Sequence, residues 1–259
     1  MSRFVNLEFE GDADSEFEPG HKAPVKDEAY YLAEARTAFE NGNFEPALRF
    51  YSKVLEFNPQ NAGAWTGQVR MLIELGEFRE AKLWADKALE RFPHEPELLA
   101  AKGVALGRSG DLQGAISFSD ASIEERGDTP YVWLARGDVL LARAETRADY
   151  CFEKAQLLAP GNWFIAWLAG RVRYYYEQFV LALKCIQKAV ELNPGHFLLW
   201  LEQGRCQQAL GLVGGAEISF HQARQLNKDC SEAQTALLRI SETGLFRRLC
   251  GRWRQLFKR

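Results

Sequence analysis

Apolar and small residues recur along this chain at helical spacing, and the spacing itself recurs. Tyr31, Leu32, Ala35 and Phe39 line one side of a helix expected from about Glu28 to Asn41. Ala47 and Tyr51 do the same for a second helix, from about Glu45 to Asn58. Gly42 stands between the two, where a helix ends in a left-handed residue, and Pro59 stops the second helix. The skeleton returns as Gly76, Phe78, Ala81, Ala85, Ala88, Pro93 and then as Gly110, Leu112, Ala115. It returns again as Ala148, Phe152, Ala155, Pro160, as Phe179, Ala182, Ala189, Pro194 and as Gly211, Ala216, Phe220, Ala223. The period is 34 residues, with one copy a residue short. A fixed period of this length marks a stacked-repeat protein.

Each copy reads as a helix pair. The first helices carry Ala35, Val69, Gly103, Gly137, Gly170 and Gly204 at mid-length. The second helices carry Ala47, Ala81, Ala115, Ala148, Ala182 and Ala216 opposite them. Small residues at facing positions let two helix axes approach, and aromatics fill the remaining space: Trp65, Trp133, Trp200, Tyr51, Phe152 and Phe220. One such pair cannot bury its apolar side alone, so neighbours must stack.

The order Trp, Gly, Gly, Ala, aromatic, Ala, Pro at these spacings resembles the tetratricopeptide repeat. The resemblance implies an all-α, right-handed α-solenoid of six helix pairs over 27–230, with a concave face lined by the first helices. Copy three has Gly127 and copy six Lys228 where proline is expected. Copy four loses a residue and its turn glycine between Arg143 and Arg147, and copy five has Glu177 in place of the glycine. Beyond the sixth copy, Ser231-Glu232-Ala233-Gln234 has the form of a capping box and opens a solvating cap helix, 231–244, with Ala233, Ala236, Leu237 and Ile240 as its apolar stripe.

Charge adds a second pattern. The net charge is −3, but residues 1–20 hold six acids against Arg3, and residues 245–259 hold six bases and no acid. The acidic arm, 1–26, also carries Phe4, Val5, Leu7, Phe9 and Phe17. It reads either as a disordered leader or as a segment that docks in a groove. In 245–259, Leu245, Phe246, Leu249, Trp253, Leu256 and Phe257 fall on one side of a helix, and Arg247, Arg248, Arg252, Arg254, Lys258 and Arg259 fill the other. A basic amphipathic helix of this kind suits an anionic membrane surface. Docking on a partner or on the solenoid is the alternative. Nucleic acid is not the expected partner, because phosphate binding needs no continuous apolar face.

The position after the small mid-helix residue reads Arg36, Arg70, Val104, Asp138, Arg171 and Arg205. By the family's geometry it faces the concave surface. Flanking it are Leu32, Thr66, Ala100, Leu134, Trp167 and Leu201 on one side, and Phe39, Ile73, Gly107, Leu141, Tyr174 and Gln208 on the other. The expected partner-binding face is therefore Arg36, Arg70, Arg171 and Arg205 with Leu32, Phe39, Trp167 and Tyr174. Arginine suits carboxylates, and aromatics suit binding hot spots. A solvated helix face is the plain alternative. The lysine and asparagine clamp by which tetratricopeptide co-chaperones hold a chaperone's terminal carboxylate is absent: the matching sites are Leu32, Arg36, Gly67, Glu97 and Ala101.

Nothing points to chemistry. His21, His94, His196 and His221 are scattered, and no acid pair, nucleophile–base pair, zinc spacing or phosphate loop stands out. No catalytic residue, metal site, cofactor or small-molecule substrate is expected. The cysteines Cys151, Cys185, Cys206, Cys230 and Cys250 are odd in number and lack a Cys-x-x-Cys pair, which reads as reduced thiols in a cytosol. The expectation is a non-enzymatic cytoplasmic adaptor that grips an acidic protein partner and sits at the inner face of the membrane or on the cytoskeleton. In layout the chain also resembles, more loosely, the bacterial kinesin-light-chain-like proteins, which implies a tubulin-like filament as partner. A regulatory peptide-binding module, with the tail on a partner or on its own solenoid, is the alternative.

Overall fold

The computed structural model describes residues 26–242. The acidic arm, but for its last residue, and the basic stretch lie outside the described residues. Helices account for the regular structure, and among the described residues there is no strand. The helices come in pairs: α1 (Glu28–Glu40) with α2 (Phe44–Phe57), α3 (Ala62–Glu74) with α4 (Phe78–Leu89), α5 (Pro96–Ser109) with α6 (Leu112–Glu124) and α7 (Pro130–Ala142) with α8 (Ala148–Leu158). Then come α9 (Trp163–Tyr175) with α10 (Phe179–Leu192) and α11 (Phe197–Ala209) with α12 (Val213–Leu226). Residues 231–242 are also helical. The chain is all-α, a solenoid of helix pairs. It divides into two compact units, one ending at Leu158 and one beginning at Ala159. The division follows the copy that lost a residue.

Helix starts are set locally. Asp27, Asn61, Asp111, Thr129 and Asn162 each accept a hydrogen bond from a backbone N–H of the first turn, and Pro96 and Pro130 begin their helices. The turns inside the pairs share one geometry. Asn43 N–H donates to the Ala38 carbonyl at 2.8 Å, Glu77 to Leu72 at 2.9 Å, Asp111 to Leu106 at 2.9 Å and Leu212 to Gln207 at 2.8 Å. Each such bond spans a left-handed glycine: Gly42, Gly76, Gly110 or Gly211. The two turns without glycine keep the same bonds, Glu145 to Leu140 and Gln178 to Arg173, both at 2.9 Å. Ala144 and Glu177 therefore stand at φ 57° and 59°. Each such residue costs about 1–2 kcal/mol. The stacking geometry thus imposes the turn whatever residue occupies it.

Gly127 has a similar cause. Its N–H bonds to the Ser122 carbonyl at 3.1 Å, behind Arg126 at φ 59°. The proline of the other copies could not donate that bond. The expected cap of the last helix differs in detail. Ser231 is already the first helical residue, so Cys230 holds the cap position.

The close approach inside a pair is visible at the mid-helix glycines. A methyl group placed on Gly204 would lie 2.5 Å from the Phe220 ring, and one on Gly137 would lie 2.8 Å from Phe152. One on Gly170 would lie 2.5 Å from Ile186. The facing partner is therefore the large residue one turn beyond the alanine, while Ala148, Ala182 and Ala216 sit fully buried beside it. The second pair inverts the volumes, with Val69 and Ala85 at the matching places and both enclosed. In the first pair Ala35 takes the glycine's place, and Tyr51 packs instead on Gly67 of α3, the next pair's first helix.

In the first unit α5 also packs directly on α3 and on α7. On α5, Ala100, Ala101, Val104 and Gly107 are buried, and a methyl group on Gly107 would lie 3.5 Å from Ala142 of α7.

Gly204→Ala is expected to destabilise the chain by about 1–3 kcal/mol through overpacking, although alanine is the better helix former. Gly214→Ala, which meets open space, is expected to be neutral or stabilising. Urea unfolding of both variants checks the pair.

Candidate interaction surfaces

In the first unit, Arg36 on α1 is the most open residue of the arginine column. Its side chain is 81 % exposed and meets Glu40 on its own helix at 3.5 Å. Leu32, one turn earlier, is exposed as well. Arg70 on α3 is used differently. Its guanidinium lies 3.8 Å from the centroid of Tyr131 on α7 and 5.0 Å from that of Phe39 on α1. A planar cation between two rings is held by stacking and by the ring quadrupoles. The contact joins α3 to α7, the two first helices that pack on either side of α5 in the repeat order. Desolvation pushes the Tyr131 phenol above its usual range, with the Arg70 charge pulling the other way.

The next two places of the column are buried. Val104 packs in the core. Asp138 receives a forked pair of hydrogen bonds from Arg108 on α5, Nε at 3.1 Å and Nη2 at 2.6 Å to the same oxygen. Both side chains of that pair are nearly enclosed.

In the second unit one carboxylate organises the column. Glu202 on α11 is buried and accepts hydrogen bonds from Arg171 on α9 at 3.0 Å and from Arg205 at 3.1 Å. Arg205 also bonds to Glu232 of the 231–242 helix. The cluster therefore ties the first helix of each remaining turn of this unit to the next. Arg171 lies 5.2 Å from the Trp167 ring. Trp167 is fully enclosed, packed against Phe164 at 5.2 Å and Trp163 at 6.5 Å. Trp163 in turn meets His196, ring to ring, at 4.7 Å. Burial lowers the pKa of that histidine. Tyr174 is half-buried and packs edge-on against Phe179 at 5.2 Å.

These positions revise the expected groove. Trp167 and Phe39 are core residues, not an open wall, and Thr66, Ala100, Leu134 and Leu201 are buried too. The first helices pack too closely for that row to face solvent. Arg70, Arg171 and Arg205 are already engaged by their own chain, and Arg36 with Leu32 remains accessible. Sequence reasoning missed Glu202, Arg108 and Tyr131. The available signal for Glu202 was a lone acid in the apolar run Leu198-Leu199-Trp200-Leu201, three residues before an arginine of the column.

A second groove lies at the far end of the same unit. Gln208, Val213, Ala216, Arg239, Ile240 and Glu242 line about 390 Å³ between α12 and the 231–242 helix. Among the described residues, no cluster of His, Cys, Asp and Glu is arranged to hold a metal, and no helix is long and apolar enough to cross a membrane. Cys151, Cys206 and Cys230 are buried and Cys185 is half-buried, all as thiols.

Glu202→Gln is expected to cost about 1–3 kcal/mol, since one buried carboxylate serves two cations. Arg171→Gln and Arg205→Gln should each cost less, because the remaining arginine still pairs. Chemical denaturation of the three variants tests that order. Stability is also expected to fall above about pH 9. Burial pushes the Cys206 thiol up to about 12 and raises Cys151 and Tyr51. The unfolded chain therefore loses these protons first, and alkali favours it. Thermal melts from pH 7 upward should show the decline, and a flat profile would contradict it.

Comparison with known proteins agrees with this geometry. The family profile described as Tetratricopeptide repeat matches residues 38–105. No curated protein matches the chain. Among solved structures, it is similar to a thermophilic tetratricopeptide protein from Thermus thermophilus, at 22 % identity and a TM-score of 0.54, over 71 % of this chain and 98 % of that one. It is also similar to a tetratricopeptide repeat protein from Parabacteroides merdae, at 16 % identity and a TM-score of 0.53, over 85 % and 86 % of the two chains. At these identities the likeness is one of fold, and with the family match it supports tetratricopeptide repeats as the building unit.

Proposed function

We propose that this chain is a non-enzymatic interaction scaffold. Its first-helix side takes an acidic, apolar segment of a protein partner at the first repeat, and the basic stretch 245–259 brings the complex to an anionic membrane surface. The observation that carries the partner half is the accessible guanidinium of Arg36 beside exposed Leu32, in a column whose other cations the chain itself engages. An exposed fork for carboxylates next to an apolar contact is the chemistry such a segment needs. The membrane half rests on the sequence alone: six bases opposite Phe246, Leu249, Trp253, Leu256 and Phe257. Bacterial tubulin filaments, with acidic surfaces, are the partner to assay.

Two measurements test the halves separately. Arg36→Glu should reduce co-sedimentation with such filaments about tenfold, the worth of a charge-assisted contact at a hot spot; unchanged binding would remove the first repeat from the account. The full chain should float with phosphatidylcholine–phosphatidylserine vesicles at low salt, and a chain ending at Gly244 should not. A full chain that stays unbound rules out the lipid half.

A further inference from the structure

The helix at 231–242 occupies the place of a first helix, and the residues after it keep the repeat's register. The left-handed turn residues inside the pairs are Gly42, Gly76, Gly110, Ala144, Glu177 and Gly211. They recur every 33 or 34 residues, and Gly244 stands 33 residues beyond Gly211. Counting from the turn, the second helices place an apolar residue and then three buried ones at fixed offsets: Phe44, then Ala47, Tyr51, Val54 in α2, Phe179, then Ala182, Ile186, Ala189 in α10, and Val213, then Ala216, Phe220, Ala223 in α12. The same offsets from Gly244 fall on Phe246, Leu249, Trp253 and Leu256. The second helices of the other pairs run from 11 to 14 residues. The stretch from Phe246 to Arg259 offers 14.

The described residues leave room for such a helix. In α11, Gly204 packs on Phe220 of its own second helix, and Gln207 accepts a hydrogen bond from Ser219 there at 2.7 Å. The equivalent residues of the 231–242 helix are Leu237 and Ile240, and both are only half-buried, with Leu238 exposed beside them. Val213, at the mouth of the 390 Å³ groove that Ile240 also lines, is 46 % exposed.

We propose that residues 245–259 form the second helix of a seventh pair, seated on the Leu237–Ile240 face of the 231–242 helix and closing the groove beside α12. The apolar side chains at these four offsets cannot contact lipid and this seat at once, so docking and membrane contact exclude each other. The seventh pair is also the loosest. Leu237 stands where Gly204 stands in α11, and Leu249 where Ala216 stands in α12, so its axes cannot approach as closely and the interface is less well packed. That makes it the pair an anionic surface can open.

Hydrogen exchange on the full chain without lipid tests the docking. Amides of 246–256 are expected to exchange roughly tenfold or more slowly than free-peptide rates. Ile240→Glu should return them to free-peptide rates while α9 and α11 keep their protection. Free-peptide exchange in the unmodified chain would overturn the proposal. So would protection that appears only as a dimer forms in sedimentation runs, which would put a second copy's tail on this face. Flotation of Ile240→Glu with phosphatidylcholine–phosphatidylserine vesicles then separates the two ideas. Several-fold stronger binding than the unmodified chain is expected if docking masks the tail, and equal binding beside a protected tail would overturn the exclusion. Docking stands or falls on the exchange data, and the lipid reading on the flotation of the unmodified chain.

Discussion

The fold rests on how closely two helices of a pair can approach. Where Gly137, Gly170 or Gly204 faces Phe152, Ile186 or Phe220, there is no room for one further methyl group. That contact sets the separation of the axes. The separation sets where the turn must reverse, and the turn in turn fixes a left-handed residue. Ala144 and Glu177 accept an unfavourable conformation rather than change the turn. Packing therefore overrides local preference, as expected when most helical stability comes from a buried face rather than from propensity.

Charge follows from packing as well. Once first helices stack, the position after the small residue lies where neighbouring helices meet. A cation there must find a partner from its own chain or reach out to water. Arg171 and Arg205 share Glu202, Asp138 takes Arg108, and Arg70 stacks between rings. Arg36, with no first helix before it among the described residues, reaches out. Among the described residues, the one place in the column left for another molecule is therefore the one whose cation its own chain leaves open to water.

Much of this was legible in the sequence. The period, the helix pairs, the turn glycines and the small residues at mid-helix all follow from local pattern, because each is dictated within one repeat. Which residue faces Gly204 was misplaced by one turn, since the alanine and the phenylalanine share a helix side and only the crossing of the two helices selects between them. The binding face was less legible. Trp167 read as an open aromatic wall and is core, because its exposure depends on the next repeat rather than its own. Tyr131 could not be tied to Arg70 from sequence, since they stand two copies apart.

That last contact changes how the first unit should respond to load. In a linear array each repeat touches its neighbours alone, and pulling at the ends peels it one pair at a time. The Arg70–Tyr131 bridge skips a repeat, so the third pair is stapled between the second and fourth. Under tension these three should give way in a single rupture rather than as successive steps, and the third could not be excised or duplicated by engineering without unfastening the staple.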